Sequence, residues 1–369
     1  MEIKMLKKMK KSVYKSGMLL SLAAIFLFTF SLTAQEVTKE FHKEYKAGTA
    51  TTLEINNRYG GVVIQSWDKD QVVIDVKITV GLPDRSRAEK LINYIDIQFY
   101  EGDNKISAKT SIDDKFNFSG WGGGSRKFSI DYTVKMPVGA NLDLTNKYGN
   151  SDIDELHGLV NIDIKYGDIS IDKLTRGNEK PLNKINIAYG KAAIAEAGWV
   201  DIYARYSPSF NIAKSKALLL DTRYCSKFKI GETSSIVGET RYDKLEIEKI
   251  NNLVLEAGYT SLEIGELTKK LDFKGSYNAM SVDRIPAGFE SIDVDVHYMS
   301  VRLGIDEAAC YNLDAHTSYG GIKFNEENFK HEKHIVENNS TTLIGTVGKE
   351  SSPTARVKIS ASYGQVKLY

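Results

Sequence analysis

The residues best suited to chemistry lie at fixed distances before three tyrosines. Asp293, Asp295 and His297 stand five, three and one residues before Tyr298; Asp314, His316 and Ser318 hold the same places before Tyr319; Asp272 stands five before Tyr277. If these segments are neighbouring strands in register, Asp272, Asp293 and Asp314 form a column spaced roughly 4.8 Å apart, with His297 and His316 alongside. Carboxylates that close repel, and a divalent cation would relieve them: calcium in an all-oxygen shell, zinc if both histidines bind. The candidate metal ligands are therefore Asp293, Asp295, His297, Asp314 and His316. The same carboxylates beside a groove would also suit a polysaccharide lyase or hydrolase. The plain alternative is a solvated face, screened by salt and partly compensated by Lys274. Apart from that cation no cofactor is implied. His331 and His334, three apart in a polar stretch, would share one side of a helix and form a second, smaller candidate pair.

The elements that must position these residues follow from the tyrosines themselves. Tyrosine recurs at 148, 166, 189, 206, 224, 242, 259, 277, 298, 319 and 363, and an isolated copy opens at Tyr59. Most steps are 17–23 residues, and the last, of 44, equals two steps of 22 if one turn is irregular. A period near twenty with alternation inside it signals a solenoid. Apolar or small residues occupy the sixth, fourth and second positions before the tyrosine, as in Leu253, Leu255 and Ala257. They resume at the third and fifth after it, as in Leu262 and Ile264. The parity switch implies a corner between two strands. Gly149, Gly167, Gly190, Gly320 and Gly364, each directly after the tyrosine, suit a corner with positive φ. After Tyr206 and Tyr224 the apolar pair arrives one residue late, which calls for a bulge or wider corner. The tyrosines are expected to stack at the corner with hydroxyls toward water, as a structural ladder or as an aromatic platform for sugar. On the outward face Lys147, Lys165, Arg205, Arg223 and Arg241 directly precede tyrosines, with Asp163, Asp221, Glu239 and Glu256 set to pair across strands or to form a stripe for an acidic polymer.

Composition bounds the function. The 369-residue chain is 42% hydrophobic, enough for a long buried column. Its 49 basic and 48 acidic residues become 43 and 47 once the first 34 residues, with six lysines and Glu2, are set aside. A mildly acidic chain with interspersed signs lacks the basic face that nucleic acid or an anionic membrane requires. Residues 1–34 read as a signal peptide: a lysine-rich start, an uncharged run from Met18 to Leu32, and Thr33-Ala34-Gln35 at the cleavage region. That run is shorter than the roughly 20 residues that span a bilayer. No cysteine stands near the junction, which excludes the lipid-modified type, and no membrane span is expected after signal removal. Cys225 and Cys310 are set four repeats apart, about 19 Å at the stacking distance, and are expected to be free, mostly buried thiols.

Residues 35–140 are less regular and are assigned to an N-terminal cap with the first turn; residues 141–369 are assigned to the repeats, with an irregular insert at 325–353. Pro83 to Tyr94, with Ala88, Leu91 and Ile92 at helical spacing, is a helix that covers the edge of the stack. Gly120, Gly122, Gly123 and Gly124 around Trp121 read as a surface loop, since no helix start or Lys-Thr pair follows to make a phosphate cradle. The chain ends on Val366, Leu368 and Tyr369, and either the insert folds over this edge or end-to-end self-association through the last strand covers it.

Leu53 to Val76, with its tyrosine-glycine corner and Trp67-Asp68-Lys69-Asp70, resembles the start of the bacterial putative adhesins of the β-solenoid type. So do Tyr132 to Pro137 with Asn141 to Gly149, Gly345 to Gly348, and Tyr363 to Leu368; the signal ending Leu32-Thr33-Ala34-Gln35 is similar to those of exported Bacteroidetes proteins. The resemblance implies a right-handed parallel β-solenoid and an envelope or surface location, and it supplies no catalytic residues. The expectation is an all-β, right-handed parallel β-solenoid of about a dozen 17–23 residue turns with a small helix and strand cap. It would be an exported, non-enzymatic protein of the periplasm, outer cell surface or medium, binding a glycan, peptidoglycan or envelope protein along one face. A periplasmic scaffold or sensor in envelope stress is one alternative. An enzyme on extracellular polysaccharide is another, although turns of 17 or 18 residues leave little room for long loops over a face.

Overall fold

The computed structural model describes residues 35–116, 127–327 and 329–369. The expected signal peptide and the glycine loop around Trp121 lie outside the described residues. Among those described, the chain is all-β, with 24 strands and a single helix, and its sheet is mixed, parallel through the repeats and antiparallel at both ends.

The repeats pair in register, each strand parallel to the equivalent strand of the next turn. In β10 (Val160–Lys165), Ile162 lies between Leu144 of β8 (Asn141–Lys147) and Ile185 of β12 (Asn183–Ala188). The pattern continues through β13 (Ala192–Arg205), β14 (Phe210–Arg223), β15 (Phe228–Arg241), β16 (Lys244–Gly258), β17 (Ser261–Ile285) and β18 (Ser291–Ile305). The apolar positions set by alternation are the core: Leu253, Leu255, Ala257, Leu262, Ile264, Ile292, Val294 and Val296 are all buried. Each fully buried Ile, Leu or Val contributes about 1.5–3 kcal/mol, and the core is one continuous column of them.

A parallel stack would leave a row of unpaired N–H and C=O groups at each end. At the N-terminal end β1 (Gln35–Lys46) pairs antiparallel with β4 (Gln71–Leu82), and β4 pairs antiparallel with β7 (Lys127–Pro137). The helix is α1 (Arg85–Ile92), which starts where the Asp84 carboxylate accepts from the Arg87 N–H. It buries Ala88, Leu91 and Ile92, the residues at helical spacing, against β1 and β4. At the other end β19 (Tyr311–Ser318) pairs antiparallel with β22 (Ser340–Val347), itself in a hairpin with β21 (Phe329–Glu337). The insert is therefore largely strand. His331 and His334 lie on β21 and not on a helix; a register shift between His331 and Lys333 brings the two rings to a stacked 5.6 Å.

The order of turns departs from the order of the sequence. β23 (Arg356–Ser362) inserts between β18 and β19, parallel to both, and β24 (Val366–Leu368) inserts between β18 and β20 (Ile322–Lys323). The step of 44 residues is thus no pair of consecutive turns: the chain passes outward through the β21–β22 hairpin and returns to fill a gap. The last strand has partners on both sides, so it is not the exposed edge from which end-to-end association was expected.

The corner itself corrects a second expectation. The positive φ belongs to the tyrosines, all twelve at 53–67°, and not to the glycines that follow them. Glycine is needed there because successive corners stack backbone on backbone. A Cβ on Gly149 would lie 1.9 Å from the Gly60 carbonyl oxygen, and one on Gly167 would lie 2.0 Å from that of Gly149. After Tyr206, Tyr224, Tyr242 and Tyr259 the corner is instead filled by Ser207, Cys225, Asp243 and Thr260, all buried. Gly167→Ala should lower stability by about 3 kcal/mol or more, since a rigid backbone must yield. Gly177→Ala, with nothing within 4 Å of the added carbon, should melt with wild type in parallel thermal denaturation.

Candidate binding face

The first leg of each turn presents three outward columns, at five, three and one residues before the tyrosine. The proposed ligands lie in these columns, and β23 divides them. Asp272 faces Asp293 across β17 and β18, but Asp293 and Asp314 each face Lys358, which stands between them. Two strand spacings, about 9.6 Å, then separate the latter carboxylates. Asp295 faces Ser360, whose other neighbour is His316, and His297 faces Ser362. The histidines engage hydroxyls: His297 Nδ1 meets Ser362 Oγ, and His316 Nδ1 lies 3.0 Å from Thr342 Oγ1. Among the described residues, no three His, Cys, Asp or Glu side chains are grouped to hold a metal ion.

In the middle of the stack the same columns change character. Leu219, Val237 and Val254 follow one another in register on β14, β15 and β16, with Asp201 before them and Asp272 after. Trp199 and Tyr203 lie two residues to either side of Asp201 on the same face of β13. All five apolar side chains are 38–46% exposed on four adjacent strands. A stripe of this size on an outward sheet face is more than scattered surface hydrophobes.

Charges border it on the tyrosine side. Arg205 Nη2 lies 2.7 Å from Asp221 Oδ1, Arg223 Nη2 3.0 Å from Glu239 Oε1, and Arg241 Nη2 3.7 Å from Glu239 Oε2. The first two are the cross-strand pairs expected from the alternating columns, while Arg241 and Glu239 share β15. The Glu239 hydrogen bond raises the Arg223 pKa further above its usual value. The Arg205 guanidinium covers the Tyr203 ring at 3.6 Å from its centre.

The tyrosines form an unbroken ladder from Tyr59 to Tyr298, then Tyr363, then Tyr319, with ring centres 4.4–5.3 Å apart and planes within 10°. Each inner ring has both faces against its neighbours. Only edges and hydroxyls meet water, which removes the open ring faces that a sugar platform requires. Beneath the ladder Asp243 is buried; its carboxylate accepts from the hydroxyls of Thr222 and Thr240 and from the Cys225 N–H. Both cysteines are free. Cys225 is buried, and desolvation, reinforced by the Asp243 charge, pushes its thiol up to about 12; Cys310 is partly exposed.

On the second leg lies a feature the sequence reading missed. Glu155, Lys173, Glu196, Lys214, Glu232, Lys249 and Glu266 succeed one another in register, one per strand, with strictly alternating sign. Lys249 Nζ lies 2.8 Å from Glu266 Oε1, and Arg284 adds a contact of 2.9 Å. A shallow groove of about 350 Å³ runs over Glu196, Lys214, Glu232 and Lys249. At the far end a cleft of about 430 Å³ is lined by Ile305, Leu313, Phe324, Val347, Leu368 and Tyr369. No helix among the described residues is long and apolar enough to cross a membrane.

No family model and no curated protein matches the sequence. Among solved structures the chain is similar to a putative adhesin from Parabacteroides merdae ATCC 43184, at 13% identity over 72% of this chain and 96% of that one, with a TM-score of 0.29. It is also similar to a putative adhesin from Parabacteroides distasonis ATCC 8503, at 10% identity over 73% and 97%, TM-score 0.28. A third is a putative adhesin from Bacteroides fragilis NCTC 9343, at 10% identity over 90% and 97%, TM-score 0.23. Overlaps this small decide neither fold nor function.

Lys358 supplies a positive charge between Asp293 and Asp314 and offsets their repulsion. Dialysed protein should carry less than about a tenth of an equivalent of calcium or zinc by mass spectrometry, whereas Lys358→Ala, which restores the repulsion, should raise calcium uptake.

Proposed function

We propose that this chain is an exported, non-enzymatic binding protein of the adhesin type, a right-handed β-solenoid capped at its N-terminal end by residues 35–140, which engages a protein partner through the outward face of β13–β16. The observation that carries this reading is the apolar stripe of Trp199, Tyr203, Leu219, Val237 and Val254. An outward column of Leu and Val contributes nothing to the core beneath it, and its desolvation by a partner would supply the favourable term for binding. The paired arginines and carboxylates along its border resemble the polar rim that surrounds such a centre.

A protein partner suits this face better than a glycan. Sugars stack on open aromatic faces; here the ladder rings cover one another and Arg205 covers Tyr203. Trp199 alone keeps an indole on the stripe, and it supports glycan binding as a second reading. An enzyme on polysaccharide is supported by neither the divided carboxylate column nor the short turns.

The test is a double variant, Leu219→Lys with Val237→Glu, which places opposite charges on neighbouring strands and so leaves the sheet paired. It should melt with wild type yet lose capture of an envelope or host-surface protein by about tenfold or more. Retained capture would remove this face from the reading, and binding to a glycan array that fails only in Trp199→Ala would favour the sugar. Location is read separately. Digestion by added protease on intact cells is the expected outcome for an adhesin; protection until the outer membrane is permeabilised would replace it with a periplasmic scaffold or sensor.

A further inference from the structure

The tyrosine ladder has a chemical capacity that its structural role does not use. Phenols are oxidised by one electron at a time, and a phenoxyl radical carries much of its spin on the two ring carbons beside the hydroxyl-bearing carbon. Eleven of the twelve tyrosines are 41–59% exposed, so an oxidant reaches the hydroxyl edge and water can accept its proton. Every inner ring also has two parallel neighbours with centres no more than 5.3 Å away, the nearest pair being Tyr259 and Tyr277 at 4.4 Å. A radical formed anywhere along the ladder thus has a second phenol at hand.

The side chains that would compete for the oxidant are withdrawn from it. Met136, Met280 and Met299 are buried, as is Cys225, whose thiol is also held protonated by burial. Among the described residues a partly exposed Cys310 and the indoles of Trp67 and Trp199 remain, none of them in the ladder.

We propose that the ladder is a site of oxidative cross-linking, in which a one-electron oxidant, such as a haem peroxidase fed with hydrogen peroxide, joins stacked neighbours as dityrosine. Each of two phenols gives up one electron and its hydroxyl proton. The two radicals couple between ring carbons adjacent to the hydroxyl-bearing carbons, and the ring hydrogens at those carbons shift to oxygen and restore both phenols. One link forms with net loss of two hydrogens, and one peroxide is reduced to two waters. Links along the ladder would tie neighbouring turns together covalently in a chain whose Cys225 and Cys310 are both free.

Dilute, folded protein is treated with a haem peroxidase and peroxide, dityrosine is read by its fluorescence, and the linked peptides are mapped by mass spectrometry. The expected links join ladder neighbours, such as Tyr189 with Tyr206 and Tyr259 with Tyr277. At the C-terminal end they join Tyr298 with Tyr363 and Tyr363 with Tyr319, but not Tyr298 with Tyr319. The yield should exceed several-fold that of the same chain unfolded in urea. Tyr224→Phe, which keeps a ring in the stack, should lose only the two links to Tyr206 and Tyr242. The proposal is overturned if folded protein forms no dityrosine at a dose that couples free tyrosine. Equal yields from folded and unfolded chain, or links spread evenly over Tyr45, Tyr100, Tyr203 and Tyr369, would overturn it as well.

Discussion

Parallel, in-register pairing is the constraint from which the rest of this structure follows. Hydrogen bonds hold each strand about 4.8 Å from the next, and without a stagger every residue lies over its counterpart one turn away. Side chains must therefore tolerate their own kind as neighbours. Isoleucine over isoleucine packs well, as Ile162 on Ile185 does, and tyrosine over tyrosine stacks. Glycine over glycine lets backbones touch at the corner. Like charge is harder to place: from Glu155 to Glu266 the sign alternates, Lys358 stands between Asp293 and Asp314, and Arg205 and Arg223 pair with the neighbouring acidic column of Asp221 and Glu239.

The same constraint explains why a bulky residue adopts an unfavourable backbone at every corner. A left-handed conformation costs a residue with a Cβ about 1–2 kcal/mol. Each stacked pair of rings returns about 0.5–1.5 kcal/mol beyond the area it buries. The two are of similar size, so the ladder holds its strained corners only as a ladder, with each ring depending on those above and below. Its ends need other partners: Phe128 packs on Tyr59 at 5.7 Å, and the β21–β22 hairpin closes the side beyond Tyr319. Antiparallel strands at both ends reflect this need, because a stack that repeats itself has no internal signal to stop.

Much of this was legible because it is periodic. The tyrosine spacing, the parity switch around it and the helix at Ala88, Leu91 and Ile92 all carry over to the structure. The alternating column was equally legible and went unread: counting seven residues after each tyrosine, or eight after Tyr206 and Tyr224, spells Glu155, Lys173, Glu196, Lys214, Glu232, Lys249 and Glu266. Two features were not legible. A period gives the spacing of turns but not their spatial order, so nothing marked the return of Tyr363 to a place between Tyr298 and Tyr319, which puts Lys358 between Asp293 and Asp314. Glycine after tyrosine also suggested the wrong residue for the positive φ, because a glycine serves close approach and a turn equally well.

The candidate face stands out by the same logic. A column in register need only avoid clashes, and the outward columns elsewhere are built largely of polar and charged residues. Between Asp201 and Asp272 the column is instead Leu219, Val237 and Val254, with Trp199 and Tyr203 beside it. Stacking does not demand this: the same strands carry Asp221, Glu239 and Glu256 two residues further on without loss of pairing. Nor does the core, which is filled from the other side by Leu218, Leu220, Leu253 and Leu255. Branched aliphatic side chains in adjacent strands lower the solubility of an exposed face and invite association. A contact that covers them is the physical role that accounts for their position, and its extent is set by the sheet: four strands wide, bounded by aspartates at both ends and by ion pairs along one side.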